Sequence, residues 1–270
     1  HLGAAINSSI AARLSLPNNS QRILIACGTA GSIAVAFNTP LAGVIFAMEV
    51  IVAEYTVVGF TPVILAAVSA TVVGRVFGDG AAIFSIPPVY VNSLLELPLI
   101  VLLGVACGAV TAVFIVLLKR CLPLARYPVA VRFVGAGLLT GSLAVVVPEI
   151  MGMGYDTLNL VLLGQLAPVF LLTLIVCKLI ATAATVGLGM PVGLIGPNLL
   201  IGASLGGVLS YWGIEWFPQY TSDPALYVVI GMGASMAAVL NAPLAALLAV
   251  VELTQNVSVA FPTMLAIVAA

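Results

Sequence analysis

Two kinds of residue in this sequence could do chemistry: glycines bunched around a proline, and single charges set inside apolar runs. The first kind is concentrated in the stretch 185–207, TVGLGMPVGLIGPNLLIGASLGG, where Gly187, Gly189, Gly193 and Gly196 lead to Pro197 and an apolar run. Glycine frees the backbone for unusual dihedrals, and proline suits the first turn of a helix. A helix starting there presents unpaired N–H groups and the positive end of its dipole, which together can hold a small anion. Gly193, Leu194, Ile195 and Gly196 are the candidates for that role through their backbone amides. No basic side chain lies in the turn. Partial charges would do the holding, so an ion could enter and also leave, whereas a full lysine charge in low dielectric would trap it. The alternative is that these glycines only let helices pack closely.

The charges come next. In VAFNTPLAGVIFAMEV, residues 35–50, Asn38 and Pro40 interrupt an apolar run and Glu49 sits inside its far end, with Glu54 five residues on. An ionisable group within a membrane segment is a functional candidate by default, so Glu49 and Glu54 qualify for a water-linked proton route. Glu49 also lies close enough to a segment end to be interfacial or paired. Glu252, in a related stretch, is expected to make a structural hydrogen bond or ion pair. Lys178 in LLTLIVCKLIATAA either draws anions toward a pathway or, as the stronger expectation, snorkels or pairs.

Enzyme chemistry finds little support. Gly202-Ala203-Ser204-Leu205-Gly206 fits G-x-S-x-G, but that elbow needs a strand–turn–helix context and a histidine base, and the single histidine is His1. Cys27, Cys107, Cys121 and Cys177 are widely spaced with no C-x-x-C pair, so no metal or haem site and no cofactor is expected.

The elements that must position these residues are membrane helices. The chain is 63% hydrophobic and 6% charged, with a mean hydropathy of +1.28, where soluble domains carry about a quarter charged residues. A net charge of −1 and 7% aromatics leave no basic or stacking surface for nucleic acid. Apolar stretches of spanning or near-spanning length lie at Thr56–Phe77, Leu97–Leu118, Val129–Val147, Val169–Val186, Leu199–Tyr211, Tyr227–Leu253 and Phe261–Ala270. Several are short or broken by Gly and Pro, which reads as half-length helices surrounded by protein or a water-filled cavity. The segment 213–225, near Trp212, Trp216 and Tyr220, reads as interfacial, and the polar connection 77–93 separates two groups of spans. Lys119, Arg120, Arg126 and Arg132 are four of the eight basic residues. Their loop is therefore expected on the cytoplasmic side, where anionic lipid is an additional partner.

An internal repeat organises the rest. GTAGSIAVAFNTPLAGVIFAMEV, residues 28–50, matches GMGASMAAVLNAPLAALLAVVEL, residues 231–253, at eight of twenty-three positions without a gap. Asn38 pairs with Asn241, Pro40 with Pro243 and Glu49 with Glu252. Shared composition would pair Ala and Leu but rarely these three in register, and two halves with corresponding broken segments point to a transporter with its site at the repeat interface. Upstream, LGAAI at 2–6 lies against IGASL at 201–205, so the counterpart of GLIGP falls just before residue 1. A turn of the form G-x-x-G-P is expected there, and the chain reads as a piece of a longer protein.

GLIGPNLLIGASLGG, FNTPLAGVIFAMEV and GMGASMAAVLNAPLAALLAVVELTQN, in this order-matched setting, resemble signature segments of the CLC family of chloride channels and proton-coupled chloride transporters. The resemblance implies an all-α integral membrane fold, an inverted repeat of tilted and partial helices, in a multi-pass protein of the bacterial inner membrane. It implies a partial CLC-type domain, with about 1–97 ending the first half and about 98–270 forming the second. The implied partners are chloride, the lipid bilayer and a second copy in a homodimer. The family's G-x-F-x-P turn corresponds to Gly193–Pro197, with Ile195 where Phe is usual. A G-[KR]-E-G-P gate-glutamate turn would lie upstream of His1, and the N-terminal serine turn and last-helix tyrosine fall outside 1–270. Proton-coupled members carry a second glutamate after F-x-x-E. Here Phe46-Ala47-Met48-Glu49 is followed by Val50, which resembles the channel members. Glu49, Val50 and Glu54 thus mark the candidate proton pathway, with H+ as a possible second ion. The expected function is chloride transport, channel-like or weakly proton-coupled. The alternatives are strict proton/chloride antiport or another inverted-repeat transporter.

Overall fold

Helix boundaries in this chain are set by a few residues of definite conformational preference. Asn38 takes φ 52°, ψ 36° and Asn241 φ 51°, ψ 44°, the left-handed conformation that asparagine tolerates and that ends a helix. Two residues later Pro40 and Pro243 open the next helix, where a missing N–H costs nothing. Thr39 and Ala242 between them have nearly the same dihedrals, φ −124°, ψ 73° and φ −133°, ψ 70°. The repeated Asn-x-Pro is one turn built twice.

The computed structural model describes residues 2–77, 86, 89–91 and 93–270. His1 and most of the connection 77–93 lie outside the described residues. The helices are α1 (Leu2–Arg13), α2 (Asn18–Phe37), α3 (Pro40–Phe46), α4 (Val57–Phe77), α5 (Leu97–Cys121), α6 (Val129–Val146), α7 (Tyr155–Leu162), α8 (Pro168–Gly187), α9 (Ile195–Trp216), α10 (Pro224–Leu240), α11 (Pro243–Thr254) and α12 (Ala260–Ala269). A π-helical segment, Ala47–Val52, continues α3, and no strand occurs among the described residues. The fold is all-helical and integral to the membrane: five helices, among them α2, α4, α6 and α8, are long and apolar enough to cross a bilayer. The expected run Tyr227–Leu253 is divided at Asn241 into α10 and α11, and Leu199–Tyr211 grows at both ends into α9. The sequence reading did not single out α2 as a span, because Asn18, Asn19, Gln21 and Arg22 dilute its apolar character. Trp212 and Trp216 stack at 6.4 Å and Trp216, Phe217 and Tyr220 are exposed, as an interfacial turn requires.

Close packing through glycine joins the same helix pair in each half. A Cβ on Gly202 of α9 would overlap the carbonyl oxygen of Gly231 in α10, and one on Gly206 would overlap that of Tyr227. In the first half, a Cβ on Gly3 of α1 would overlap the carbonyl oxygen of Gly28 in α2. Gly3 aligns with Gly202 and Gly28 with Gly231, so the repeat is reproduced as a packing contact. Ser204, the centre of the G-x-S-x-G stretch, is fully buried in this contact and its hydroxyl donates to Leu200 O at 2.8 Å. The matched sequence is a helix–helix seam.

Candidate functional site

The glycine-rich turn does start a helix. After α8 ends, Gly189 takes φ +77° and the chain reverses through 190–194 into Ile195, the first residue of α9. Asn198 is the first residue to bond back across the turn, its backbone N–H donating to Leu194 O at 3.2 Å and its Nδ2 at 2.7 Å. Asn198 is buried, so this double bond fixes the turn. The amides of Leu194, Ile195 and Gly196 precede any i−4 carbonyl and remain available. A Cβ at Gly193 would meet nothing within 4 Å, whereas one at buried Gly196 would come into ordinary contact with Met153, its Cβ at 3.8 Å. Gly193 leaves room in front of the helix start, and Gly196 could take a Cβ without overlap, unlike Gly202 and Gly206.

Lys178 of α8 is 3% exposed and donates from Nζ to Ile150 O at 2.7 Å and Gly152 O at 3.0 Å. An ammonium has three protons, so one remains. It lines a cavity of about 380 Å³ together with Thr140, Thr182, Thr185, Val192 and Pro197. The buried cation therefore shares its cavity with the proline of the α9 turn. Arg132 caps the other end of α8, its guanidinium donating to Leu188 O at 2.9 Å, where the helix dipole favours a cation.

The carboxylates are placed differently. Glu49, on the π-helical segment, accepts from Leu244 N at 3.3 Å and Ala245 N at 2.9 Å, the first turn of α11. Glu252, on α11, accepts from Leu41 N at 2.9 Å and Ala42 N at 2.8 Å, the first turn of α3. Val50 is 40% exposed and Glu54 is exposed beyond the left-handed Ala53, so neither lies in the cavity of the α9 turn. A small apolar cavity of about 20 Å³ is lined by Phe37 and Phe46 together with Ile195, Leu199 and Leu253. One buried carboxylate escaped sequence reading. Glu96, 3% exposed before α5, accepts from Ser222 Oγ at 2.7 Å and Tyr227 OH at 3.0 Å and ties α5 to the start of α10. A lone Glu in LLELP gave only the hint of a charge beside an apolar run.

Known proteins resemble the chain along its whole length. The family described as "Voltage gated chloride channel" matches residues 1–270. A putative chloride channel protein, ClcB-like, of Ralstonia nicotianae is 34% identical over 91% of this chain and 58% of its own length. The H(+)/Cl(-) exchange transporter ClcA of Vibrio cholerae is 33% identical over 97% of this chain and 58% of its own length. The crystal structure of a slow cyanobacterial Cl-/H+ antiporter superimposes with a TM-score of 0.84 at 25% identity, covering 99% of this chain and 64% of that one. That of a CLC-type fluoride/proton antiporter gives 0.82 at 21% identity, which bears on the fold alone. The chain thus spans about 58% of the length of these curated relatives.

Proposed function

This chain belongs to the voltage gated chloride channel family, and from that premise we propose that it supplies half of the anion pathway of a chloride-transporting membrane protein. The observation that carries the reading is the α9 turn: free amides of Leu194, Ile195 and Gly196 at the positive end of a helix, with open space at Gly193. An anion there is held by fixed dipoles that need no reorganisation, strongly enough to shed water and weakly enough to move on. The Lys178 cavity deepens the reading. A buried cation beside the turn raises local anion concentration, and its bonds to Ile150 O and Gly152 O keep it in the wall, short of the ion's seat.

Coupling to protons is the second question. Val50 favours a channel-like or weakly coupled protein, while similarity to the 33%-identical H(+)/Cl(-) exchange transporter of Vibrio cholerae favours an exchanger. We read Glu49 as occupied by its two amide bonds, which leaves exposed Glu54 as the freer carboxylate of the candidate pathway. A homodimer is part of the same proposal. Val57, Val58 and Leu65 of α4 and Phe261, Met264 and Val268 of α12 are exposed apolar side chains, suited to lipid or to a second copy.

Chloride efflux from vesicles containing the full-length protein, recorded with internal pH, tests the reading. Chloride-selective efflux is expected, and its absence would remove the proposal. Uphill proton movement driven by a chloride gradient would replace the channel-like form with strict antiport.

A further inference from the structure

The two carboxylates at the repeat interface form a reciprocal arrangement that the anion turn alone does not require. Glu49 rises from the end of the α3 segment and accepts from the first turn of α11; Glu252 rises from the end of α11 and accepts from the first turn of α3. Exchanging the two halves leaves the picture unchanged. Among the described residues no lysine or arginine reaches either carboxylate, so each negative charge is balanced by amides and a helix dipole. The backbone of the first half is adjusted to keep the match. From Glu252 to the left-handed Gln255 is 3 residues (255 − 252), but from Glu49 to the left-handed Ala53 is 4 (53 − 49), and the π-helical segment absorbs the extra residue. Arg22 closes that segment, its guanidinium donating to Ile51 O at 3.3 Å and Val52 O at 2.8 Å.

The clasped helices wall the small apolar cavity that Ile195, the first residue of α9, also lines. Ala42 and Phe46 of α3 face Ala249 and Leu253 of α11 across the space that Ile195 and Leu199 of α9 complete. Phe46, Ala242 and Ala245 pack together, and the backbone N–H of Ala245 is one of the two donors to Glu49. A shift of α3 against α11 therefore moves the surface on which Ile195 rests.

We propose that Glu49 and Glu252 are positioning residues for anion transport: a symmetric pair of carboxylate caps that locks α3 to α11 and so fixes the wall behind the α9 turn. Neither carries the proton or the anion. The first turns of α3 and α11 hold the protein's own carboxylates, and the first turn of α9 is left for the transported ion. This inference rests on the chloride-pathway reading above.

The test uses the full-length protein in vesicles, with chloride and proton movement counted per correctly folded molecule, for wild type, Glu49→Gln, Glu252→Gln and the double variant. Each single change is expected to lower chloride turnover by about tenfold, the factor that one lost charge-assisted bond commands. The double variant should be no slower than the slower single one, and the ratio of protons to chloride should stay at the wild-type value. Wild-type turnover in the single variants would overturn the proposal, as would losses that multiply in the double variant. Loss of proton movement alone in Glu49→Gln would also overturn it, since Glu49 would then be a carrier. If the Gln variants do not fold, Glu49→Asp and Glu252→Asp, which retract the charge by one methylene, replace them under the same criteria. Absence of chloride movement in the wild type would instead sink the pathway reading. The clasp would then be judged by a double-mutant cycle on unfolding temperature, where additive losses would refute it.

Discussion

Lys178 illustrates how much the meaning of a residue depends on its partners. From sequence it was a costly charge in an apolar run, with snorkelling or pairing as the expectation. In the fold its ammonium meets two backbone carbonyls of the 150–152 turn and lines the cavity that ends at Pro197. Replacing it by Gln removes the charge and weakens both bonds, each worth about 1.5–3 kcal/mol for a charged donor. Chloride flux at low chloride is expected to fall by about tenfold or more in Lys178→Gln, with a smaller loss at saturating chloride. Lys178→Arg should retain most of the flux, and equal losses in both variants at all concentrations would argue for a purely structural lysine. Glu49 and Glu96 mark the limit of sequence reading at this scale. Their hydrogen-bond partners lie 195 or more residues away for Glu49 and 126 and 131 for Glu96, and no local pattern announces them.

Among the elements, the half-helices were legible and their embellishments were not. Asn-x-Pro has a local physical meaning, a left-handed stop followed by a proline start, so its repetition could be read before the fold was known. The π-helical segment has no such signature, because an inserted residue is recognised only against the shorter copy. Glycine divides by role in the same way. Gly193→Ala adds a methyl where nothing lies within 4 Å, so folded yield and unfolding temperature are expected to stay near wild type while anion flux changes. Gly202→Ala drives a methyl into the carbonyl of Gly231, and a marked loss of folded protein is expected. Size-exclusion yield and thermal unfolding of the two variants check this contrast. Comparable destabilisation would show that Gly193 serves packing too.

For the whole molecule, the internal repeat is the feature that the register of Asn, Pro and Glu revealed, and the glycine contacts Gly3–Gly28 and Gly202–Gly231 give it a structural expression. The missed span α2 shows the limit: a helix that begins with polar residues is not seen as membranous until its length is known. Orientation follows from charge. Lys119, Arg120 and Arg126, exposed around the end of α5, are expected on the cytoplasmic side. In a background with the native cysteines removed, Arg126→Cys should react with a membrane-impermeant thiol reagent from the cytoplasmic face only. Labelling from the opposite face would invert the topology. The claim on which the rest depends is that backbone amides at the start of α9 hold the anion, and bromide is the most direct probe of it. Anomalous diffraction from crystals of the full-length protein grown in bromide should place a peak within hydrogen-bonding reach of the Ile195 and Gly196 amides. Well-ordered crystals with bromide elsewhere and none at that turn would contradict the account.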